Sequence, residues 1–129
     1  MPTTQSILIV DCVDETRTVL KMALERKGLE ILEAKAPREG LELLRSRNPD
    51  LIVLDMELQS STDGESSDGL ARETHARRKP LLMLGSLRAA AISPPPGQIV
   101  SKPYHYAPLI RKIEELLGAA RQPAVSSPP

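Results

Sequence analysis

The side chains best suited to chemistry each follow a short apolar run of the chain. In chain order they are Asp11, Asp55, Ser86 and Lys102. Paired carboxylates can hold Mg²⁺, a hard cation that prefers oxygen ligands. A carboxylate beside such an ion, a hydroxyl group and a lysine can attack phosphorus while the developing charge is stabilised. These residue types therefore predict a phosphoryl-accepting site centred on Asp55.

The apolar runs predict the strands that position these residues. Short runs without alternation are typical of parallel strands buried on both faces. The four runs are Ile7–Val10, Leu51–Leu54, Leu81–Leu84 and the weaker Ile99–Val100. A fifth candidate, residues 29–33, alternates apolar and acidic side chains as an edge strand does.

Helical patterns separate the strands, and caps and stops give their predicted limits. They run from an Asp14 cap to about Lys27, from Pro37 to before Asn48, from an Asp68 cap to about Arg78, and from Pro108 to Gly118. Alternating strands and helices predict a flavodoxin-like α/β fold, a doubly wound five-stranded parallel sheet. Its fourth helix is shortened, since Pro94–Pro96 cannot continue one. In such a sheet, the four polar residues converge at the carboxyl edge.

Composition limits the class of protein and of partner. The 129 residues suit one domain, with 17 basic and 17 acidic residues and a net charge of zero. A balanced charge argues against a nucleic-acid or anionic-membrane surface. A single cysteine, the lack of a long apolar run and an N-terminus without signal-peptide character predict a cytoplasmic protein.

Five motifs in register resemble the receiver domain of two-component response regulators. They are Ile7–Asp11 with Asp14–Arg17, Pro49–Met56, Asp68–Leu70, Leu84–Ser86 and Ser101–Tyr104. The resemblance covers about residues 5 to 118. It implies a receiver domain over 6–118, after a disordered N-terminus at 1–5 and before a Pro/Ser-rich tail or linker at 119–129. The domain is either a stand-alone regulator or the N-terminal module of a larger signalling protein, and the Pro/Ser-rich tail favours a further domain after residue 119.

The resemblance also implies a role for each site residue. Asp55 takes a phosphoryl group from a histidine kinase or a phosphotransfer protein. Asp11, Asp55 and the backbone carbonyl of Glu57 hold Mg²⁺, while Ser86 and Lys102 contact the phosphoryl group. Such a domain is a phosphoacceptor rather than an enzyme, with at most self-phosphorylation and dephosphorylation activity.

Cys12 departs from this pattern, because the family usually has a second acid there that binds Mg²⁺ directly. A thiol is a poor Mg²⁺ ligand, so weak Mg²⁺ binding is expected unless Asp14 compensates. Packing alone predicts Cys12 to be a small buried or half-buried filler. The departure leaves open an alternative function, a degenerate, non-phosphorylated receiver that acts as a protein-interaction module. A nucleotide- or flavin-binding protein is disfavoured by the lack of phosphate-binding glycines.

Overall fold

The computed structural model describes residues 4–56, 67–85 and 98–121, which form five strands and four helices. In chain order these are β1 (Ser6–Val10), α1 (Asp14–Glu25), β2 (Glu30–Ala34), α2 (Pro37–Arg47), β3 (Leu51–Asp55), α3 (Ser67–Ala76), β4 (Leu81–Gly85), β5 (Gln98–Ser101) and α4 (Tyr106–Arg121).

The strands form one parallel sheet in the order β2-β1-β3-β4-β5. Every residue of β1, β3 and β4 is buried, as their unbroken apolar runs predict. The alternating strand β2 lies at an edge, also as predicted. Strand β2 lies on one side of β1, and β3, β4 and β5 lie on its other side. The strand order therefore reverses between β1 and β3, which is where doubly wound sheets bind ligands.

Side-chain alternation divides the core into two layers, one on each face of the sheet. Leu8 and Val10 of β1 belong to the layer that includes residues of α2 and α3. Ile7 and Ile9 belong to the other layer, with α1 and α4. Asp11 lies two positions after Ile9 and therefore falls on the same face of the sheet as the second layer. Asp55 lies two positions after Val53 of β3 and falls on that face as well.

Three helix boundaries, in α1 and α4, differ from the sequence prediction. Asp14 is the first residue of α1 rather than its cap; Val13 holds the cap position and makes no side-chain cap bond. Helix α4 begins at Tyr106, two residues before Pro108, and runs past Gly118 to Arg121. The first backbone N–H groups of a helix have no intrahelical partner, so Pro108 costs nothing in the first turn. Gly118 lacks the left-handed conformation that would end a helix.

Most other boundaries follow the local signals closely. Gly28 has a φ of 84° and follows α1, which ends at Glu25. Pro37 occupies the first turn of α2. Helix α3 begins at Ser67, so Asp68 lies inside its first turn rather than capping it, and it ends at Ala76, two residues before Arg78, which has a φ of 59°. The shortened fourth helix predicted before Pro94–Pro96 lies outside the described residues, as does the end of the tail from residue 122. Within the described ranges, no helix is long and apolar enough to span a membrane.

Candidate functional site

Asp11 and Asp55 lie side by side at the carboxyl ends of the adjacent strands β1 and β3. Val10 of β1 is paired with Leu54 of β3, so the next residue of each strand is one of the two aspartates. Both are buried, with exposed fractions of 2% for Asp11 and 3% for Asp55. The sheet thus holds two buried acidic side chains next to each other.

Lys102 supplies a positive charge to this pair. Its Nζ lies 2.9 Å from Oδ1 of Asp55, and the ammonium group donates a hydrogen bond to that oxygen. The backbone N–H of Lys102 donates to the carbonyl oxygen of Gly85 at 3.0 Å, which continues the β4–β5 pairing by one residue. The peptide bond between Lys102 and Pro103 is cis. The strand register therefore aims the lysine at Asp55.

Burial makes Asp11 harder to ionise than an exposed carboxyl. Desolvation is the largest influence and raises the pKa of Asp11 above its ordinary value. The backbone N–H of Val13, 2.8 Å from Oδ1, acts in the opposite direction. The negative charge of Asp55 raises the pKa further, while the charges of Lys102 and Arg17 lower it. On balance the pocket favours a cation that offsets two carboxylates.

Arg17, a residue that sequence reasoning did not assign to the site, holds the loop between β1 and α1. It is only 5% exposed, and its Nη1 donates to the backbone carbonyl of Asp11 at 2.6 Å. Its Nε donates to Glu33 at 3.2 Å, and Nη2 pairs with Asp14. The sequence does indicate that Arg17 is buried, because Arg17 lies at helical spacing from Leu20 and Leu24, which are buried on α1. A buried cation on an apolar stripe needs hydrogen-bonding partners.

Cys12 is exposed, so the expectation of a buried or half-buried filler was wrong. Its Sγ and one carboxylate oxygen each of Asp11 and Asp55 all lie within 4.8 Å of one another. Asp14 is not among these groups; its side chain is 77% exposed and paired with Arg17. Within the described residues, Asp14 therefore does not stand in for the missing acid. Two of the three donors suit Mg²⁺, and the thiol does not.

Two predicted site residues, Glu57 and Ser86, lie outside the described residues, so their roles stay predictions. Tyr104, in the motif that contains Lys102, is partly buried and hydrogen-bonds to the Thr16 side chain of α1. Burial is the main reason that the pKa of Tyr104 is raised. This bond links the segment after β5 to the helix that carries Arg17.

The family model for the response regulator receiver domain matches residues 7–114. This chain belongs to the response regulator receiver family. Membership places the domain in two-component, phosphorelay signalling, in a family of phosphoacceptors that are generally not enzymes. The suspected resemblance is thereby confirmed.

Solved structures confirm the fold of this receiver domain. A CheY-like response regulator receiver domain from Methanospirillum hungatei JF-1 has a TM-score of 0.78 at 24% identity, covering 92% of this chain and 97% of that one. A response regulator receiver protein from Sinorhizobium medicae WSM419 has a TM-score of 0.76 at 22% identity, covering 92% and 98%. NtrX from Brucella abortus matches 92% of this chain with only 28% of its own length, at a TM-score of 0.77 and 24% identity. No curated protein sequence matched the chain.

Proposed function

We propose that this receiver domain accepts a phosphoryl group on Asp55 from the phosphohistidine of a histidine kinase or phosphotransfer protein. The observation that supports this most directly is the contact between Lys102 and Asp55 at 2.9 Å, beside the buried Asp11. The pair places a nucleophilic carboxylate beside a cation. The same cation can stabilise the negative charge of the phosphoryl group once this group has been transferred.

The transfer moves one phosphoryl group from an imidazole nitrogen to a carboxylate oxygen. A carboxylate oxygen of Asp55 attacks phosphorus and forms an O–P bond as the P–N bond of phosphohistidine breaks. The bonding electrons pass to the imidazole nitrogen, and Asp55 becomes an acyl phosphate. Lys102 neutralises part of the charge that gathers on the phosphoryl oxygens. A divalent cation held by Asp11 and Asp55 would supply further charge neutralisation when bound, and we propose that Mg²⁺ is held only weakly in this role.

The proposed context is that of a cytoplasmic signalling module. We assign residues 6–118 to the receiver and the segment from 119 to a tail or linker. NtrX, in which the similar region is 28% of a longer chain, supports a further domain. The charge balance of the chain supports protein partners over nucleic acid or membrane for this domain.

Intact-mass analysis after treatment with acetyl phosphate and a divalent cation tests the acceptor. We expect one added phosphoryl group, lost on treatment with hydroxylamine because an acyl phosphate is cleaved by this nucleophile and a phosphoserine is not. Asp55→Asn should abolish the gain. The matched control is Asp50→Asn, at the opposite end of β3, whose amide oxygen can still accept the bond from the Ser6 N–H. Labelling that persists in Asp55→Asn would contradict the assignment.

A second function, a non-phosphorylated interaction module, is favoured by one observation: the exposed thiol of Cys12 among the ligand atoms of the pocket. In that case neither the native protein nor Cys12→Asp gains mass. If Cys12→Asp alone is labelled, the acceptor chemistry is intact and the native metal site is what prevents it.

A further inference from the structure

The pocket at the carboxyl edge brings together three donor atoms of two different kinds. Asp11 and Asp55 each offer a carboxylate oxygen, Cys12 offers sulfur, and all three atoms lie within 4.8 Å of one another. Zinc binds thiolate sulfur at about 2.3 Å and carboxylate oxygen at about 2.0–2.2 Å, so the ligand atoms of one tetrahedral ion lie about 3.4–3.7 Å apart. The three donors therefore have to close by at most about 1.4 Å to share an ion.

The donor set suits a borderline cation better than a hard one. Mg²⁺ requires near-ideal octahedral coordination by oxygen, and the Cys12 side chain has no oxygen ligand. Zn²⁺ and Co²⁺ accept mixed sulfur and oxygen ligands in tetrahedral geometry. Three protein ligands would leave a fourth position for water or for a phosphoryl oxygen.

Burial and charge support a site of this composition. The two carboxylates are fixed at the ends of β1 and β3, whereas Cys12 is exposed and open to an entering ion. With Cys12 bound as thiolate, its proton released to solvent, the three ligands carry three negative charges. A divalent ion and the ammonium group of Lys102 balance them. Within the described residues, this is the one group of three such donors.

We propose that Asp11, Cys12 and Asp55 form a metal site that selects Zn²⁺, or a similar thiophilic divalent ion, over Mg²⁺. This goes beyond phosphoryl acceptance, because the ligands bind the ion whether or not Asp55 is ever phosphorylated. Cys12, whose thiol makes the site a poor one for Mg²⁺, then sets the metal preference of this site.

Cobalt(II) titration of the purified chain tests the proposal through a spectroscopic signature. Coordination of a thiolate to Co²⁺ gives a near-ultraviolet charge-transfer band, and Cys12 is the only cysteine, so the band reports this residue alone. The titration is run with a phosphine reductant, which keeps the thiol reduced without adding a competing one. We expect the band in the native protein, its loss on adding Zn²⁺, and its persistence in a large excess of Mg²⁺.

Three variants separate a built site from a reactive thiol. Cys12→Ser keeps the size of the side chain and should lose the band and about ten- to a hundredfold in Zn²⁺ affinity, or about 1.4–2.8 kcal/mol. Cys12→Asp should also lose the band while gaining Mg²⁺ affinity. Asp11→Asn keeps the thiol and should weaken Co²⁺ binding, with circular dichroism confirming that the variant is folded.

The proposal is overturned if Mg²⁺ removes the band as readily as Zn²⁺, or if no band forms. It is also overturned if Asp11→Asn binds Co²⁺ as tightly as the native protein, since the cysteine would then act alone. Phosphorylation of Asp55 is read by intact mass and metal binding by the cobalt band, so the failure of either proposal is distinguishable from that of the other.

Discussion

Lys102 Nζ reaches Oδ1 of Asp55 at 2.9 Å across the end of an intervening strand. Lys102 follows β5 and Asp55 ends β3, and β4 lies between these strands in the sheet. The Asp55 side chain is 4% exposed and that of Lys102 is 29% exposed. The lysine therefore stabilises a nearly buried carboxylate in the resting domain, before any phosphoryl group arrives.

Lys102→Met should destabilise the domain because it leaves the charge of Asp55 without its ammonium partner. Breaking a fully buried pair costs about 3–5 kcal/mol, and the partial exposure of Lys102 reduces this to about 1–2 kcal/mol. Adding Asp55→Asn should recover most of the loss, which urea unfolding of all four proteins measures. Strictly additive effects of the two changes would contradict a direct interaction.

Asp11→Asn should raise the melting temperature of the metal-free domain at neutral pH. Because the folded state raises the pKa of Asp11, it binds a proton more tightly than the unfolded state, and ionised Asp11 lowers stability. The native protein should therefore lose stability as the pH rises from below 3.8, the ordinary pKa, through the raised value. Melting curves across this range should show the advantage of the variant disappearing in acid. A constant difference at all pH values would mean that ionisation is not the cause.

Arg17→Met should loosen the loop that carries the pocket, because the backbone carbonyl of Asp11 loses its donor. Hydrogen bonds to charged groups contribute about 1.5–3 kcal/mol each, so we expect a loss of about 2–3 kcal/mol in unfolding experiments. Arg17→Lys keeps the charge but lacks the planar guanidinium group that reaches three acceptors. It should therefore lose less unfolding free energy than Arg17→Met. If Arg17 positions the site, Co²⁺ affinity falls in the same order. Unchanged affinity in both variants would assign Arg17 to stability alone.

Glu73→Gln should lower the melting temperature slightly at neutral pH and not in acid. The hydrogen bond from Arg77, at 2.9 Å, is the main reason that the pKa of Glu73 is lowered, and Arg45 adds to it. Such a group stabilises the fold above its ordinary pKa of 4.5 and loses this effect as the pH falls through the lowered value. Glu42→Gln, an exposed acid of α2 for which no such interaction is seen among the described residues, serves as a control. Equal curves for both variants would contradict the prediction.

Cys12→Asp should lower the stability of the metal-free domain, because it places a third carboxylate beside Asp11 and Asp55. Two like charges within 4.8 Å of each other in water repel by about 1 kcal/mol, and the exposure of Cys12 keeps the effect near this size. Melting curves in chelator, with Cys12→Ser as the uncharged control, measure it. Cys12→Asp melting at the same temperature as Cys12→Ser would show that the groups do not interact.

Much of the fold was predictable because it rests on local patterns. Unbroken apolar runs require strands buried on both faces, and helical spacing between them requires crossovers in a parallel sheet. The five-stranded sheet followed from these patterns. So did the meeting of Asp11, Asp55 and Lys102, because residues that follow parallel strands share one edge.

Only the tertiary structure decided which groups share contacts at that edge. Arg17 reaches Glu33 across 16 residues, and by also pairing with Asp14 it removes that acid from the pocket. Cys12 is exposed while its neighbour Asp11 is buried, a difference that adjacent positions in a sequence do not reveal. Strand and helix periodicity is a property of the local backbone. The partners of a charged side chain depend instead on distances between segments that are far apart in the chain, and these exist only once the sheet and its helices have packed together.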